Sequence, residues 1–196
     1  MKKGTIITLV IVAIVLILVF WGISARNSLV KQEEQVKAAW AQVENQYQRR
    51  SDLIPNLVNT VKGYAAHESE TLENVIAARN RAASATVNPD DITADNIAQY
   101  QAAQSQVTSA LERLMVVVER YPDLKANQNF LELQSQLEGT ENRIAVERQR
   151  FNETARAYNT EVRRFPKNLI ASMSGFEEYP YFEAAPGSDV APVVEF

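Results

Sequence analysis

Between Ser24 and Ala85 the chain carries a seam with a period of 3.5 residues, which constrains the fold more than any other feature. Large or apolar residues stand at Val36, Trp40, Val43, Tyr47, Ile54, Leu57, Val61 and Tyr64. With Arg50 in the gap, the steps alternate between four and three residues. That spacing keeps one stripe facing a partner along a slightly underwound helix, as in bundles and coiled coils. A single helix over 24–85 would be about 93 Å long at 1.5 Å per residue.

Two places threaten its continuity. Pro55 cannot donate to the carbonyl of Ser51 and crowds that turn. The helix either kinks at Ser51–Pro55 or stops near Arg50 and restarts with Ser51 or Asp52 as N-cap. The seam keeps its phase across the proline, which favours a kink. The second weak point is Gly63 to Glu68, where a turn into a separate helix fits.

Ahead of the seam, Thr5 to Ile23 runs without a charge and is rich in Ile, Val and Leu. Its length suits the hydrocarbon core of a bilayer, and Trp21 stands where an interfacial aromatic is expected. The run is longer than the apolar region of a cleaved signal peptide, so an uncleaved anchor over 1–25 is the expectation. Lys2 and Lys3 lie tight against the run, while Arg26, Lys31 and Lys37 follow it. The positive-inside rule then leans towards the N-terminus inside and the domain outside, in the extracytoplasmic space.

After the seam, Ala82 to Asp91 has turn chemistry around Asn88-Pro89-Asp90-Asp91. A second long helix is expected from about Ile92 to Arg120, with its seam at Ile97, Tyr100, Gln104, Val107, Leu111, Leu114, Val118 and Tyr121. Tyr121-Pro122-Asp123 ends it, because the residue before proline is pushed out of the helical region. A third is expected to be firm by Phe130, with Asn129 and Glu132 as a capping-box-like pair. Its seam runs through Leu133, Leu137, Thr140, Ile144, Glu147, Phe151, Ala155, Tyr158, Val162 and Phe165, and Pro166 stops it. Phe165 to Phe182 ends in four aromatics within seven residues and reads as a strap packed along the bundle. The chain thus divides into an anchor over 1–25, a helical bundle with its strap over 26–183, and a flexible tail over 184–196. The fold class is all-α: three long helices in an up-and-down antiparallel bundle, four if the first breaks near Pro55 or Gly63.

Composition removes several chemistries. The 196 residues include no cysteine, which excludes disulfides, thiol catalysis and cysteine metal sites. The soluble part keeps 18 basic residues once Lys2 and Lys3 are set aside, against 24 acidic ones. Its basic residues are interleaved with Glu and Gln as on solvated faces, so nucleic acid is not an expected partner. His67 is the only histidine, and without a partner or reacting group it reads as exposed. No glycine-rich phosphate loop and no G-x-S-x-G occurs. No catalytic, cofactor-binding or metal residue is therefore assigned.

The polar residues on the seams are more informative. Arg50, Gln104, Thr140 and Glu147 occupy positions where apolar side chains are expected. A buried polar group needs partners, and one such group can fix the register of neighbouring helices. Arg50 is expected to pair with Glu147 or Glu141 at mid-bundle; the alternative is that the stripe drifts and these side chains snorkel to water.

The run Arg49-Arg50-Ser51-Asp52-Leu53-Ile54-Pro55-Asn56-Leu57-Val58 resembles the LemA family of bacterial membrane-anchored proteins. The likeness continues through Thr60-Val61-Lys62-Gly63-Tyr64-Ala65, His67-Glu68, Tyr121-Pro122-Asp123-Leu124-Lys125 and Asn129-Phe130. It goes on through Thr140-Glu141-Asn142-Arg143-Ile144-Ala145, Phe151-Asn152, Tyr158-Asn159, Phe165-Pro166 and Pro180-Tyr181-Phe182. The resemblance implies a long-helix bundle behind one transmembrane helix, with no enzyme activity attached. It also implies an association with membrane-protein quality control beside membrane metalloproteases. The expected function is a non-enzymatic scaffold or adaptor held in the membrane by residues 5–23. It would form a homo-oligomer or serve a membrane protease or envelope protein. The alternative is a peptide- or lipid-binding module with a groove near Pro55, lined by the freed Ser51 carbonyl and Tyr64.

Overall fold

The first seam folds as one helix up to Lys62 and then turns back on itself. The computed structural model describes residues 3–183; the tail expected at 184–196 lies outside the described residues. In chain order the helices are α1 (Lys3–Lys62), α2 (Ser69–Ser84), α3 (Ala94–Val118), α4 (Pro122–Lys125), α5 (Gln128–Arg163) and α6 (Lys167–Ser174). Among the described residues there is no strand, so the chain is all-helical.

α1 holds both the apolar run and the first seam. At 60 residues it is about 90 Å long. It is the one described helix long and apolar enough to cross a membrane. Its residues from Lys3 to Trp21 are exposed, Gly22 is the first to be partly covered, and Ala25 is the first to be buried. The helix runs through Pro55 unbroken and ends before Gly63. The Ser51 carbonyl, which Pro55 leaves without its helical donor, accepts a hydrogen bond from Arg79 Nε of α2 at 3.3 Å. A donor from the neighbouring helix thus replaces the missing backbone bond, and the seam keeps its phase.

The break at Gly63 makes α2 a separate helix of 16 residues. Seam positions Val36, Trp40, Val43, Tyr47, Arg50, Ile54, Leu57 and Val61 are buried, whereas Tyr64, beyond the break, is exposed. α2 returns beside α1, as the Arg79–Ser51 bond shows. α3 reverses again beside α2: Arg81 reaches Gln106, and Glu68 meets Arg120 and Tyr121 at the other end. α5 runs opposite to α1, with Arg50 facing Glu141 and Trp40 facing Phe151.

Helix ends follow local chemistry. Thr93 Oγ1 accepts from the Asn96 amide and Asn96 Oδ1 accepts from the Thr93 amide, a reciprocal cap at the start of α3. For α5 the expected pairing of Asn129 and Glu132 is wrong. Asn127 caps the helix, its Oδ1 accepting from the Phe130 amide at 3.0 Å, while Glu132 accepts from Gln136. The one-turn α4 that Pro122 opens ends at Lys125, so the chain re-enters a helix two residues earlier than Asn129 suggested. The strap is also partly helical: α6 occupies its first half, and Gly175, at φ +74°, turns the chain out of it.

Buried side chains form two cores. One gathers Leu29 to Tyr47 of α1, Ile97 and Tyr100 of α3, Ile144 to Val162 of α5, and Phe182. The other gathers Ile54 to Val61 of α1, Leu72, Val75, Ala78 and Ala82 of α2, Val107 to Val118 of α3, and Leu124, Phe130 and Leu137. Trp40 centres the first core, with ring centroids 5.4 Å from Tyr100 and 5.6 Å from both Phe151 and Phe182. Each such ring pair contributes about 0.5–1.5 kcal/mol beyond the area it buries.

Candidate functional site

Between the two cores lies a polar layer. α1 supplies Arg50, α3 supplies Gln104 and Thr108, and α5 supplies Glu141. Each sits where its helix's apolar stripe passes from one core to the other. Arg50 is only 2% exposed. Its Nη1 donates to Thr108 Oγ1 at 3.0 Å and to Glu141 Oε2 at 2.8 Å. Its Nη2 donates to the Gln104 carbonyl at 3.0 Å and to Gln104 Oε1 at 2.8 Å. The guanidinium carbon also stands 5.1 Å from the centre of the Tyr47 ring. Burying a charge is costly unless it is paired and hydrogen-bonded, and four acceptors meet that requirement here.

Of the two acids expected opposite Arg50, the partner is Glu141. Glu147 lies instead against Arg150, 3.6 Å away. Gln104 joins Arg50 in the layer, whereas Thr140, also buried, donates to the Gln136 carbonyl of its own helix. The snorkelling alternative fails for Arg50, because its head group is enclosed. A guanidinium accepts no proton, so it cannot activate the Thr108 hydroxyl that it contacts. The layer ties α1 to α3 and α5 through the one guanidinium of Arg50.

Beside the layer a cavity of about 270 Å³ opens, lined by Glu44, Tyr47, Ser51, Arg79 and Tyr100 among others. Burial raises the Glu44 carboxyl above the usual range and also pushes up the Tyr47 phenol. Of the two residues expected to line a groove near Pro55, Ser51 lines this cavity and Tyr64 does not. Arg79 occupies the Ser51 carbonyl, and Tyr64 lies elsewhere, its hydroxyl accepting from Asn127 at 2.8 Å. His67 is exposed in the turn between α1 and α2. Among the described residues no three His, Asp or Glu side chains cluster to hold a metal ion.

A second polar feature escaped the sequence reading. Asn159 of α5 is 1% exposed and grips the strap's backbone. Its Nδ2 donates to the Tyr179 carbonyl at 2.8 Å, and its Oδ1 accepts from the Tyr179 amide at 2.9 Å. Asn152, seven residues earlier on the same face, holds the Phe182 carbonyl and amide at 2.9 and 2.8 Å. Each carboxamide satisfies both backbone groups of one residue, much as a neighbouring strand would. The strap therefore binds a helix face although no sheet is present. The signal was there: Phe151-Asn152 and Tyr158-Asn159 repeat an aromatic–Asn pair at two-turn spacing.

The end of the bundle nearest the apolar run is closed by charge. Lys167 pairs with Glu161 and reaches Ser28 Oγ of α1 at 3.4 Å. Its hydrogen bond holds the Glu161 carboxyl below the usual carboxylate range. In the α2–α3 loop, Asp90 binds Lys37 at 2.7 Å and raises the lysine's pKa.

The sequence pattern of the LemA family matches residues 39–196. Magnetosome protein MamQ 2 of Paramagnetospirillum magneticum is 25% identical over 98% of this chain and 77% of its own length. Magnetosome protein MamQ of Magnetospirillum gryphiswaldense is 26% identical over 86% of this chain and 68% of its own. Protein LemA of Metamycoplasma hominis is 22% identical over 85% of this chain and 72% of its own.

Proposed function

The chain belongs to the LemA family, and from that membership we propose that it is a non-enzymatic scaffold or adaptor. Its helices form an up-and-down bundle held at the membrane by residues 5–23. The observation that carries this reading is the use made of the polar residues. Arg50, Gln104 and Glu141 satisfy one another across three helices and hold them in register. What the bundle then offers to partners is its long outer faces of mixed charge. Those faces suit assembly with further copies of the chain or with another membrane or envelope protein, a membrane protease among them. The relatives whose names tie them to the magnetosome match over most of this chain, which supports a shared role at a membrane. Anchor, bundle and tail divide as 1–25, 26–183 and 184–196, with the bundle on the extracytoplasmic side.

The test is the mass of the purified full-length protein in detergent, by light scattering coupled to size exclusion. A discrete oligomer, or a defined complex after crosslinking in cells, supports the scaffold. A monomer that crosslinks to nothing overturns it. The competing reading, a module for peptides or lipids, draws on the cavity beside Ser51. Saturable, stoichiometric binding of an apolar peptide that Ser51→Trp abolishes, with no assembly of the protein, would favour it.

A further inference from the structure

The hairpin formed by α6 and the chain after it carries an apolar face that nothing among the described residues covers. Leu169 and Met173, four residues apart and so on one face of α6, are 54% and 84% exposed. Phe165, just before the helix, is 77% exposed. The opposite face is packed: Ala171 is buried, and Ile170 lies against Gly22 of α1, where an added Cβ would meet its Cδ1 at 3.7 Å.

Two contacts fix the level at which α6 sits. Lys167 reaches Ser28 of α1, and Ile170, three residues later, reaches Gly22. α6 therefore lies against the stretch of α1 that closes the apolar run, between Gly22 and Ser28. At Gly175 the chain reverses, and Tyr179 and Phe182 climb back along Asn159 and Asn152 of α5. Ile170 is the hairpin residue at the level of Gly22, and beyond it Gly175 lines a cavity with Glu33 and Thr93. Gly22 is itself the last residue but one of the uncharged run that ends at Ile23. Any bilayer that takes up residues 5–23 has its boundary there, where Trp21 also stands. Arg26, four residues beyond Gly22, is exposed, and Arg164 pairs with Glu161 at 3.6 Å.

We propose that α6 is a membrane-dipping helix: Leu169, Met173 and Phe165 enter the headgroup–acyl boundary beside the anchor and hold the bundle at a fixed tilt. The occupant of this face is lipid, because the anchor that carries α6 delivers it to the bilayer surface. A short helix with one apolar face, lying at such a boundary, buries that face about 5–10 Å deep. The inference rests on the anchored reading of residues 5–23.

Because the chain has no cysteine, single cysteines report without background. Full-length Met173→Cys, Leu169→Cys, Leu16→Cys and Val146→Cys would each carry an environment-sensitive fluorophore in phosphatidylcholine vesicles. Some vesicles would contain lipid with a nitroxide near the headgroup end of the acyl chain. Positions 173 and 169 should lose emission roughly twofold to this nitroxide, as a depth of about 5–10 Å requires, and should resist aqueous iodide. Position 146, 62% exposed at mid-bundle, should show the reverse. Iodide quenching at 173 and 169, with 16 quenched by lipid, would overturn the dipping helix and leave the anchor standing. Protection at 173 and 169 from both quenchers would overturn it in favour of a second copy covering the face. Failure of 16 to sense lipid would overturn both readings.

Discussion

Replacing Arg50 by Met is the sharpest test of the mid-bundle lock. Met keeps most of the apolar stem, so packing against Ile54 and Tyr47 is largely retained and the loss is electrostatic. Four acceptor contacts disappear. They do not weigh equally. Glu141 is 49% exposed and returns to water at little cost, and pairs of that exposure contribute at most about 1 kcal/mol. Gln104 is 8% exposed, and its side-chain oxygen would stay enclosed without a donor, at a cost of about 1–3 kcal/mol. The sum is about 3 kcal/mol, at the lower edge of what breaking a buried pair costs. For a chain of this size that lowers the melting temperature by about 6–12 °C. The assay is thermal unfolding of the full chain in detergent, followed by circular dichroism. Glu141→Gln should cost about 1 kcal/mol or less. Gln104→Leu added to Arg50→Met should recover part of the loss, because both buried partners are then apolar. A melting temperature unchanged in Arg50→Met, or strict additivity in the double variant, would refute the lock.

Three further expectations follow from the same contacts. Asn159→Leu deletes both bonds to Tyr179 and strands its amide and carbonyl, so it should destabilise by about 2–3 kcal/mol and expose the chain after Gly175 to limited proteolysis; a protease pattern like that of the parent would count against the latch. Burial raises the phenols of Tyr100, Tyr158 and Tyr179, the last to about 12. The fold therefore favours their neutral forms: stability is full below pH about 10 and falls as the pH rises through the raised values. Melting curves should be flat to that point and drop above it, less steeply in Tyr179→Phe, and equal slopes for the two proteins would remove Tyr179 from the account. Arg79→Met should cost about 1 kcal/mol in urea unfolding, and less when combined with Pro55→Ala, whose restored amide can serve the Ser51 carbonyl; equal costs in both backgrounds would mean that Arg79 does not stand in for the missing helical bond.

Most of the framework was legible because helix packing writes itself into spacing. The stripe from Val36 to Val61 is buried at every seam position, and the polar residues on it marked the lock before any contact was known. A choice between Glu141 and Glu147 was not legible, since it depends on the relative axial shift of α1 and α5, which spacing along one helix does not encode. Nor was the break at Gly63 certain. The 3.5 period runs through it to Tyr64, and only the return of α2 onto α1 buries Leu72, Val75 and Ala78 in exchange for the lost turn.

The strap shows what seam reasoning leaves out. Its aromatics announced that Phe165 to Phe182 is not left in water, and Phe182 does stack on Trp40 at 10° between ring planes. Their number alone does not say that some face outward. Phe176, Tyr179 and Phe182 pack on the bundle, while Phe165, Leu169 and Met173 do not. The division comes from Gly175, which reverses the chain so that one half of the strap climbs the α5 groove where Asn152 and Asn159 wait. The other half rests on the end of the apolar run through Ile170 and leaves its outer face bare. Apolar residues in this segment thus answer to two solvents, the bundle core and the surface beneath it, and a single hydrophobic count merges them.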